Sequence, residues 1–250
     1  MRNYIRADVK RILQRSSHLF SMLLVFIIYV CAVYFPNRSI QTTSVTLVTS
    51  ACSVLDWVVI FVGLFEMIAV FSEDFKVKTM QVAIGLGVSR NKVVLCKLLE
   101  VAVLLVLDCI AITLITMGIG AVMGAAIPFM VLQDLILTLL VKCLLAQVAC
   151  VSLTMIVLFV TQSSILSIFV YTLISMGIVN LVLSLMPMFG MTALENLNLN
   201  RLTLSHLVGA FNTDILLGTF DIVSFIGIAI YIAAGIFATC KLFSKRELDF

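Results

Sequence analysis

The sequence predicts an all-α, polytopic membrane protein with six transmembrane helices. Three observations predict it: the composition, the long apolar runs and the placement of the basic residues. Of 250 residues, 62% are hydrophobic and 12% are charged, and the mean hydropathy is +1.22. A soluble domain usually has about 25% charged residues. Because so few charges cannot cover a water-facing surface, we expect a single transmembrane domain over residues 1–250.

Six apolar runs are long enough to cross a bilayer, which takes about 20 helical residues. They cover residues 19–35, 52–72, 95–120, 137–160, 165–187 and 219–240. The first run follows a basic stretch, as the apolar core of a signal peptide does. It is longer than the usual ~7–15 residues, however, and no small-x-small cleavage site precedes Pro36. We therefore interpret it as the first span.

The basic residues predict the orientation of these spans. Most lie on one side, at positions 2, 6, 10, 11, 15, 76, 78, 90, 92, 97, 241, 245 and 246. The other side receives Arg38 and Arg201, and Lys142 lies within a span. Since cytoplasmic loops carry the excess of Lys and Arg, both termini are predicted to be cytoplasmic. We expect the membrane to be a bacterial plasma membrane. The net charge of +3 follows from this bias and does not indicate a nucleic-acid surface.

The cysteines point to no metal site and no disulfide framework. There are 7 of them, an odd number, and none forms a C-x-x-C pair. Most lie inside apolar runs, where cysteine behaves as a small hydrophobic residue.

Residues 1–17 are predicted to form an amphipathic surface helix. Ile5, Val9, Ile12 and Leu13 share one helical face, and basic residues cover the remainder. Such a helix lies flat in the headgroup layer. Two interpretations stay open, an ordinary basic anchor for the first span or a surface helix that also contacts a cytoplasmic partner.

The cytoplasmic segment between spans two and three carries paired start and stop signals for a helix. Ser72 can cap a helix over residues 73–87 whose first turn is acidic, which suits the helix dipole. Gly85 and Gly87 favour its end, and Ser89 can cap the helix of the third span. Apolar or semi-apolar residues follow at helical spacing: Phe75, Thr79, Val82 and Leu86. A solvated basic loop is the alternative, and it would need none of these signals.

The same segment resembles a known family. Residues 71–79 read F-S-E-D-F-K-V-K-T, Ser89 and Arg90 follow ten positions later, and Lys97 lies at the start of the next span. This pattern resembles the permeases of the type-2 ABC exporters, which include bacitracin-resistance, lantibiotic-immunity and antimicrobial-peptide exporters. The six-span plan, the cytoplasmic termini, the surface helix and a long last outer loop at 188–218 are also similar to that family.

The resemblance implies a role for the segment and a set of partners. Residues 73–87 would form the coupling helix, which docks on a cytoplasmic ABC ATPase subunit and receives its motion. The docking residues that it implies are Glu73, Asp74, Phe75, Lys76, Thr79, Ser89 and Arg90. A second permease copy or a paralogue, together with membrane lipids, would complete the assembly.

The chain has no phosphate-binding loop of the form G-x-x-x-x-G-K-[ST]. We therefore expect no catalytic site and no cofactor on this chain, with ATP and Mg bound by the partner ATPase. The expected function is that of a permease subunit exporting an amphipathic or hydrophobic cargo, such as an antimicrobial peptide. A lipid or polysaccharide exporter and an ATPase-independent structural or channel-like protein are the alternatives. An intramembrane enzyme is disfavoured because His18 and His206 are predicted on opposite sides of the membrane.

Ionisable residues inside the spans divide by depth. Those near a surface, or able to reach one, are Asp56, Glu100, Asp134, Lys142, Asp214 and Asp221. Glu66 and Asp108 lie deeper, where a charge costs at least ~2.5–3.5 kcal/mol, so both should face the bundle interior or a wet cavity. For Glu66, an ion pair with a base such as Lys97 and a proton-carrying role stay open. For Asp108, a protonated core residue and a cavity group stay open.

Overall fold

The computed structural model describes residues 2–38, 43–77, 84–85, 87–185 and 199–245, and only the backbone of residues 2–4, 72–77 and 245. The described part is all-helical. Its α-helices are α1 (Arg2–Leu13), α2 (Ser16–Asn37), α3 (Ser44–Val77), α4 (Arg90–Val122), α5 (Phe129–Leu139), α6 (Ala146–Thr161), α7 (Ser164–Ser175), α8 (Ile178–Leu185), α9 (Leu204–Leu216) and α10 (Ile222–Lys245). A π-helix (Leu140–Leu145) joins α5 to α6, and a short 3₁₀ helix (Leu199–Leu202) precedes α9.

Among the described residues, five helical segments are long and apolar enough to cross a membrane. They are Ser16–Asn37, Ser44–Phe71, Arg90–Val122, Phe129–Thr161 and Ile222–Ser244. The pair α7 and α8 makes a sixth if it counts as one span, and it bends by 56° at its break. Gly177 lies at this break with a φ of 65°, a left-handed conformation that glycine adopts without strain. The predicted all-helical class is therefore confirmed, with five or six helices able to span.

The segment between the second and third spans differs in part from the expectation. The expected helix start at Ser72 is wrong, because α3 continues without interruption from the second span to Val77. Gly87, predicted to end the helix, has a φ of 92°, and its N–H bonds to the carbonyl of Ile84 at 2.9 Å. Ser89 precedes α4 in an extended conformation, as predicted, although its side chain makes no capping hydrogen bond. Residues 78–83 and 86 lie outside the described residues.

The outer surface of the bundle is apolar where a lipid-facing surface is expected. Side chains more than half exposed include Phe20, Trp57, Leu114, Phe169 and Phe237, from five different helices. Such a continuous apolar exterior would be unfavourable in water and is suited to lipid. Among the interior contacts, α10 packs most extensively against α6. A Cβ on Gly235 would lie 2.7 Å from the carbonyl of Ser152, so only glycine allows this approach.

Candidate functional site

The residues that the sequence assigned to the coupling region are not all placed at side-chain level. Glu73, Asp74, Phe75 and Lys76 lie on the last turns of α3, where only the backbone is described. Thr79 lies outside the described residues. Ser89 and Arg90 stand on the other side of the segment, at the start of α4.

Arg90 connects the start of α4 to the end of α10. Its Nη1 donates to the carbonyl oxygens of Phe243 at 2.9 Å and Ser244 at 3.2 Å. Its guanidinium carbon lies 5.7 Å from the centre of the Phe243 ring, within the range of a cation–π contact. An arginine at a helix C-terminus satisfies carbonyls that have no partner within the helix and complements the helix dipole. The segment between α3 and α4 is thus held to the bundle at its α4 end.

An aromatic ladder, defined as Phe71, Phe159 and Phe243, extends this connection across the bundle. The rings of Phe71 on α3 and Phe159 on α6 are 6.1 Å apart, and those of Phe159 and Phe243 on α10 are 4.8 Å apart, both edge-to-face. Such ring pairs contribute about 0.5–1.5 kcal/mol each beyond their buried area. With Arg90 at its end, the ladder joins α3, α6, α10 and α4 near the ends from which the predicted coupling segment leaves.

Lys97 forms a buried ion cluster that fixes α1 to α4. Its Nζ lies 2.6 Å from Asp8 Oδ2 and 2.8 Å from Glu100 Oε2, and its side chain is fully buried. Asp8 also pairs with Arg11 at 2.8 Å. Asp8 was not among the site residues predicted from the sequence, although it is the only acidic residue of residues 2–15. The amphipathic helix therefore contacts the bundle through a salt bridge as well as through buried Ile12.

Glu66 pairs with a histidine and not with the lysine expected from the sequence. Its Oε1 lies 2.9 Å from His18 Nε2, and the exposed fractions of the two residues are 1% and 6%. The expected pairing with Lys97 is wrong because Lys97 is directed towards Asp8 and Glu100. Asp108 on α4 is also buried, and it lies close enough to Glu66 for the two carboxyl groups to interact electrostatically. We call His18, Glu66 and Asp108, from α2, α3 and α4, the inner polar cluster.

A second polar cluster lies at the other end of the bundle, around the π-helix. Lys142 on the π-helix forms an ion pair with Asp56 on α3. Gln147 Nε2 donates to the carbonyl of Lys142 at 3.2 Å, while Gln147 Oε1 accepts from Tyr171 at 2.5 Å. Short π-helical segments frequently lie at functional positions. The residues around Lys142 and Gln147 line a cavity of about 240 Å³.

Lys142 was expected to reach the outer surface, and no partner was predicted for it. Asp56 and Lys142 have opposite charges and lie near the same predicted surface, so their pairing could have been predicted from the sequence. No comparable signal identified the π-helix, since it results from packing. Among the residues that the structure describes, no group of three or more His, Cys, Asp and Glu side chains is arranged to hold a metal ion.

The fold and its polar clusters define a class, a helical bundle with an apolar exterior and charges paired inside, which indicates an integral membrane protein. Comparisons with protein-family models, curated proteins and solved structures gave no match.

Proposed function

We propose that this chain is the membrane-spanning permease subunit of an ATP-driven exporter whose ATPase is a separate polypeptide. The observation that carries the proposal is that residues 73–90, which include the docking set, are joined to the bundle at both of their ends. On one side, α3 continues as a helix beyond Phe71 to Val77. On the other side, Arg90 is bonded to the end of α10. A segment held in this way can transmit a push into the bundle.

The aromatic ladder supplies the route for that push. Displacement of the end of α3 moves Phe71, which packs on Phe159 of α6 and through it on Phe243 of α10. Packed side chains transmit displacement because protein interiors are dense. A cytoplasmic ABC ATPase docked on residues 73–87 would therefore rock α3 against α6 and α10. The docking set remains Glu73, Asp74, Phe75, Lys76, Thr79, Ser89 and Arg90.

The rest of the assembly follows from the same proposal. A second permease copy or a paralogue would complete the pathway in a bacterial plasma membrane, with both termini cytoplasmic and ATP and Mg on the ATPase. An amphipathic or hydrophobic cargo suits the bundle, since an open groove of about 470 Å³ between α2 and α3, on the apolar outer surface, has an almost wholly apolar lining that includes Trp57, Phe61 and Phe65.

The experiment is affinity purification of the tagged full-length chain from its native membranes in mild detergent. The expected result is co-purification of a polypeptide that contains a phosphate-binding loop and hydrolyses ATP, while the chain stripped of that polypeptide hydrolyses none. Phe75→Glu should lower recovery of the ATPase by about tenfold or more, since central aromatic residues commonly contribute at least ~2 kcal/mol to an interface.

Lys76→Ala is the matched control on the neighbouring residue, and it should retain most of the ATPase because rim charges mainly affect association rates. Thermal unfolding of each detergent-solubilised variant separates loss of docking from loss of folding. ATP hydrolysis by the isolated chain, or wild-type recovery of the ATPase by Phe75→Glu, would contradict the proposal. Absence of any ATP-hydrolysing polypeptide would favour an ATPase-independent membrane protein.

A further inference from the structure

The cavity of about 240 Å³ beside the π-helix lies where five elements meet, namely α3, the π-helix, α6, α7 and α9. The side chains of Asp56 and Lys142 are 51% and 22% exposed, whereas Gln147 and Cys150 are each only 4% exposed. The cavity therefore has a charged opening and a buried inner end. Since a water molecule takes about 30 Å³ of liquid volume, the cavity has room for a polar group of about eight non-hydrogen atoms.

The charges at the opening restrict what the cavity can bind. Of its described lining residues, only Asp56 and Lys142 are charged, and they form an ion pair with each other. A ligand with a single charge would pair with one of them and leave the other without a partner, which is unfavourable in a partly buried site. A zwitterion keeps the site neutral, because its anionic group can pair with Lys142 while its cationic group pairs with Asp56.

The rest of the lining restricts the cationic group. A quaternary ammonium is typically recognised by aromatic rings, and none of the described lining residues is aromatic. A primary ammonium instead donates up to three hydrogen bonds, and a carboxylate such as that of Asp56 accepts them. Ser175, which also lines the cavity, has a buried Oγ without a hydrogen-bond partner in the described part of the chain. Such atoms are rare in folded proteins, and a polar ligand would provide the missing partner.

We propose that this cavity binds a zwitterionic group that combines a phosphate with a primary ammonium, which is the headgroup chemistry of phosphatidylethanolamine. Lys142 pairs with the phosphate, Asp56 accepts from the ammonium, and the Ser175 hydroxyl hydrogen bonds to the bound group. A bilayer presents such headgroups near its surface, where the sequence predicts both charged residues, and the apolar exterior of the bundle suits the attached acyl chains. This inference concerns the isolated chain and does not depend on the ATPase.

The test is native mass spectrometry of the purified full-length chain, in detergent that contains equal amounts of three phospholipids with the same acyl chains. The headgroups are phosphoethanolamine, phosphocholine and phosphoglycerol. We expect the first lipid to be retained about tenfold more than either of the others, since a hydrogen bond to a charged group commonly changes affinity by at least that factor. Free phosphoethanolamine, but not free phosphocholine, should displace it. Displacement by free phosphoethanolamine without any preference among the three lipids would assign the same chemistry to a soluble ligand.

Charge variants test the two residues at the opening. Lys142→Ala and Asp56→Ala should each lower retention of the phosphoethanolamine lipid by about tenfold, because each removes one charged partner of the zwitterion. Asp134→Asn is the matched control, since Asp134 is an exposed acid near the same predicted surface and does not line the cavity. Thermal unfolding of each variant separates loss of binding from loss of folding.

A steric variant keeps both charges and therefore keeps the inference falsifiable if a charge variant folds poorly. Gly209 lines the cavity, and a Cβ there meets no atom within 4 Å, so Gly209→Leu fits and should narrow the cavity and weaken retention of the lipid. Gly118→Leu is its control, because Gly118 is equally open and lies outside the cavity. Equal retention of all three lipids by the wild-type chain without displacement by free phosphoethanolamine, or a preference for phosphoglycerol, would overturn the proposal. Wild-type retention in both Lys142→Ala and Gly209→Leu would also overturn it.

Discussion

At the scale of single residues, the packing around Gly63 is the most restrictive contact of the second polar cluster, the one around Lys142 and Gln147. A Cβ at this position of α3 would collide with the hydroxyl of Tyr171 and lie 2.8 Å from Gln147 Oε1. The hydroxyl of Tyr171, on α7, lies 3.1 Å from the carbonyl oxygen of Ile60, which like Gly63 is on α3. It also lies 2.5 Å from Gln147 Oε1. Because Gly63 has no side chain, the Tyr171 hydroxyl and the Gln147 side chain have room to hydrogen bond to each other beside α3.

We predict that Gly63→Ala lowers the free energy of unfolding by about 1–3 kcal/mol, because an added methyl group in a packed interior forces neighbours to move. Thermal unfolding in detergent measures this loss. Gly118→Ala is the control, since a Cβ there meets no atom within 4 Å. Adding Tyr171→Phe to Gly63→Ala should recover part of the loss, because one of the two collisions disappears. Equal stability of Gly63→Ala and Gly118→Ala would contradict this account.

Residue partners inside the bundle were only partly predictable. The depth of Glu66 correctly required an interior partner, since its position along the span follows from counting residues. The choice of His18 over Lys97 depends on how α2 and α4 are rotated about their axes. That rotation is set by all neighbouring helices together. For Lys97, the decisive neighbour is Asp8 on α1, a helix expected to lie at the membrane surface.

At the scale of elements, the start of α10 is capped by the carboxylate of Asp221, which lies just before the span. Asp221 precedes the helix, and its Oδ1 accepts the N–H of Val223 at 3.0 Å. The Ser224 side-chain hydrogen bond, followed by backbone N–H groups, lowers the pKa of this carboxyl from its ordinary value of 3.8. A carboxylate at an N-terminus also suits the helix dipole.

We predict that this cap is lost in acid. Because the folded pKa is below the unfolded one, the contribution of the charge is present above the unfolded pKa and disappears as pH falls through the folded pKa. Amide hydrogen exchange at Val223 should therefore quicken at acid pH, relative to its intrinsic rate, in the wild-type chain. Asp221→Asn keeps an acceptor and should remove the pH dependence, whereas Asp221→Ala should show fast exchange throughout. A pH dependence that persists in Asp221→Asn would assign it to another group.

Element boundaries were predictable where a local signal decides them. Gly87 ends its turn as expected because the left-handed conformation is accessible to glycine. Ser72 does not begin a helix because it lies inside α3, and an N-cap residue stabilises a helix only at the position where the helix begins. The π-helix at Leu140–Leu145 and the 56° bend between α7 and α8 had no local signal of this kind.

At the scale of the whole molecule, the asymmetry of basic residues makes a topology prediction. In a chain whose native cysteines are replaced, new cysteines at Ala126 and Thr219 should react with a membrane-impermeant maleimide added to intact cells. Cysteines at Asn91 and Ser244 should react only after permeabilisation, because Arg90, Lys92, Lys241 and Lys245 surround them. All four positions are exposed, so burial does not explain a difference. Labelling of position 91 from outside would refute both the orientation and a cytoplasmic docking segment.

The sequence by itself determined the class of protein and the approximate location of its spans. Apolar length and charge content are properties of each segment by itself. They decide whether the segment is stable across a bilayer, independently of any tertiary contact. Only the tertiary structure decided which buried charges meet: His18 with Glu66, Lys97 with Asp8 and Glu100, and Lys142 with Asp56. The physical reason is that a partner within about 3 Å depends on the depth, tilt and rotation of two helices at once. Those quantities are set by the packing of the whole bundle.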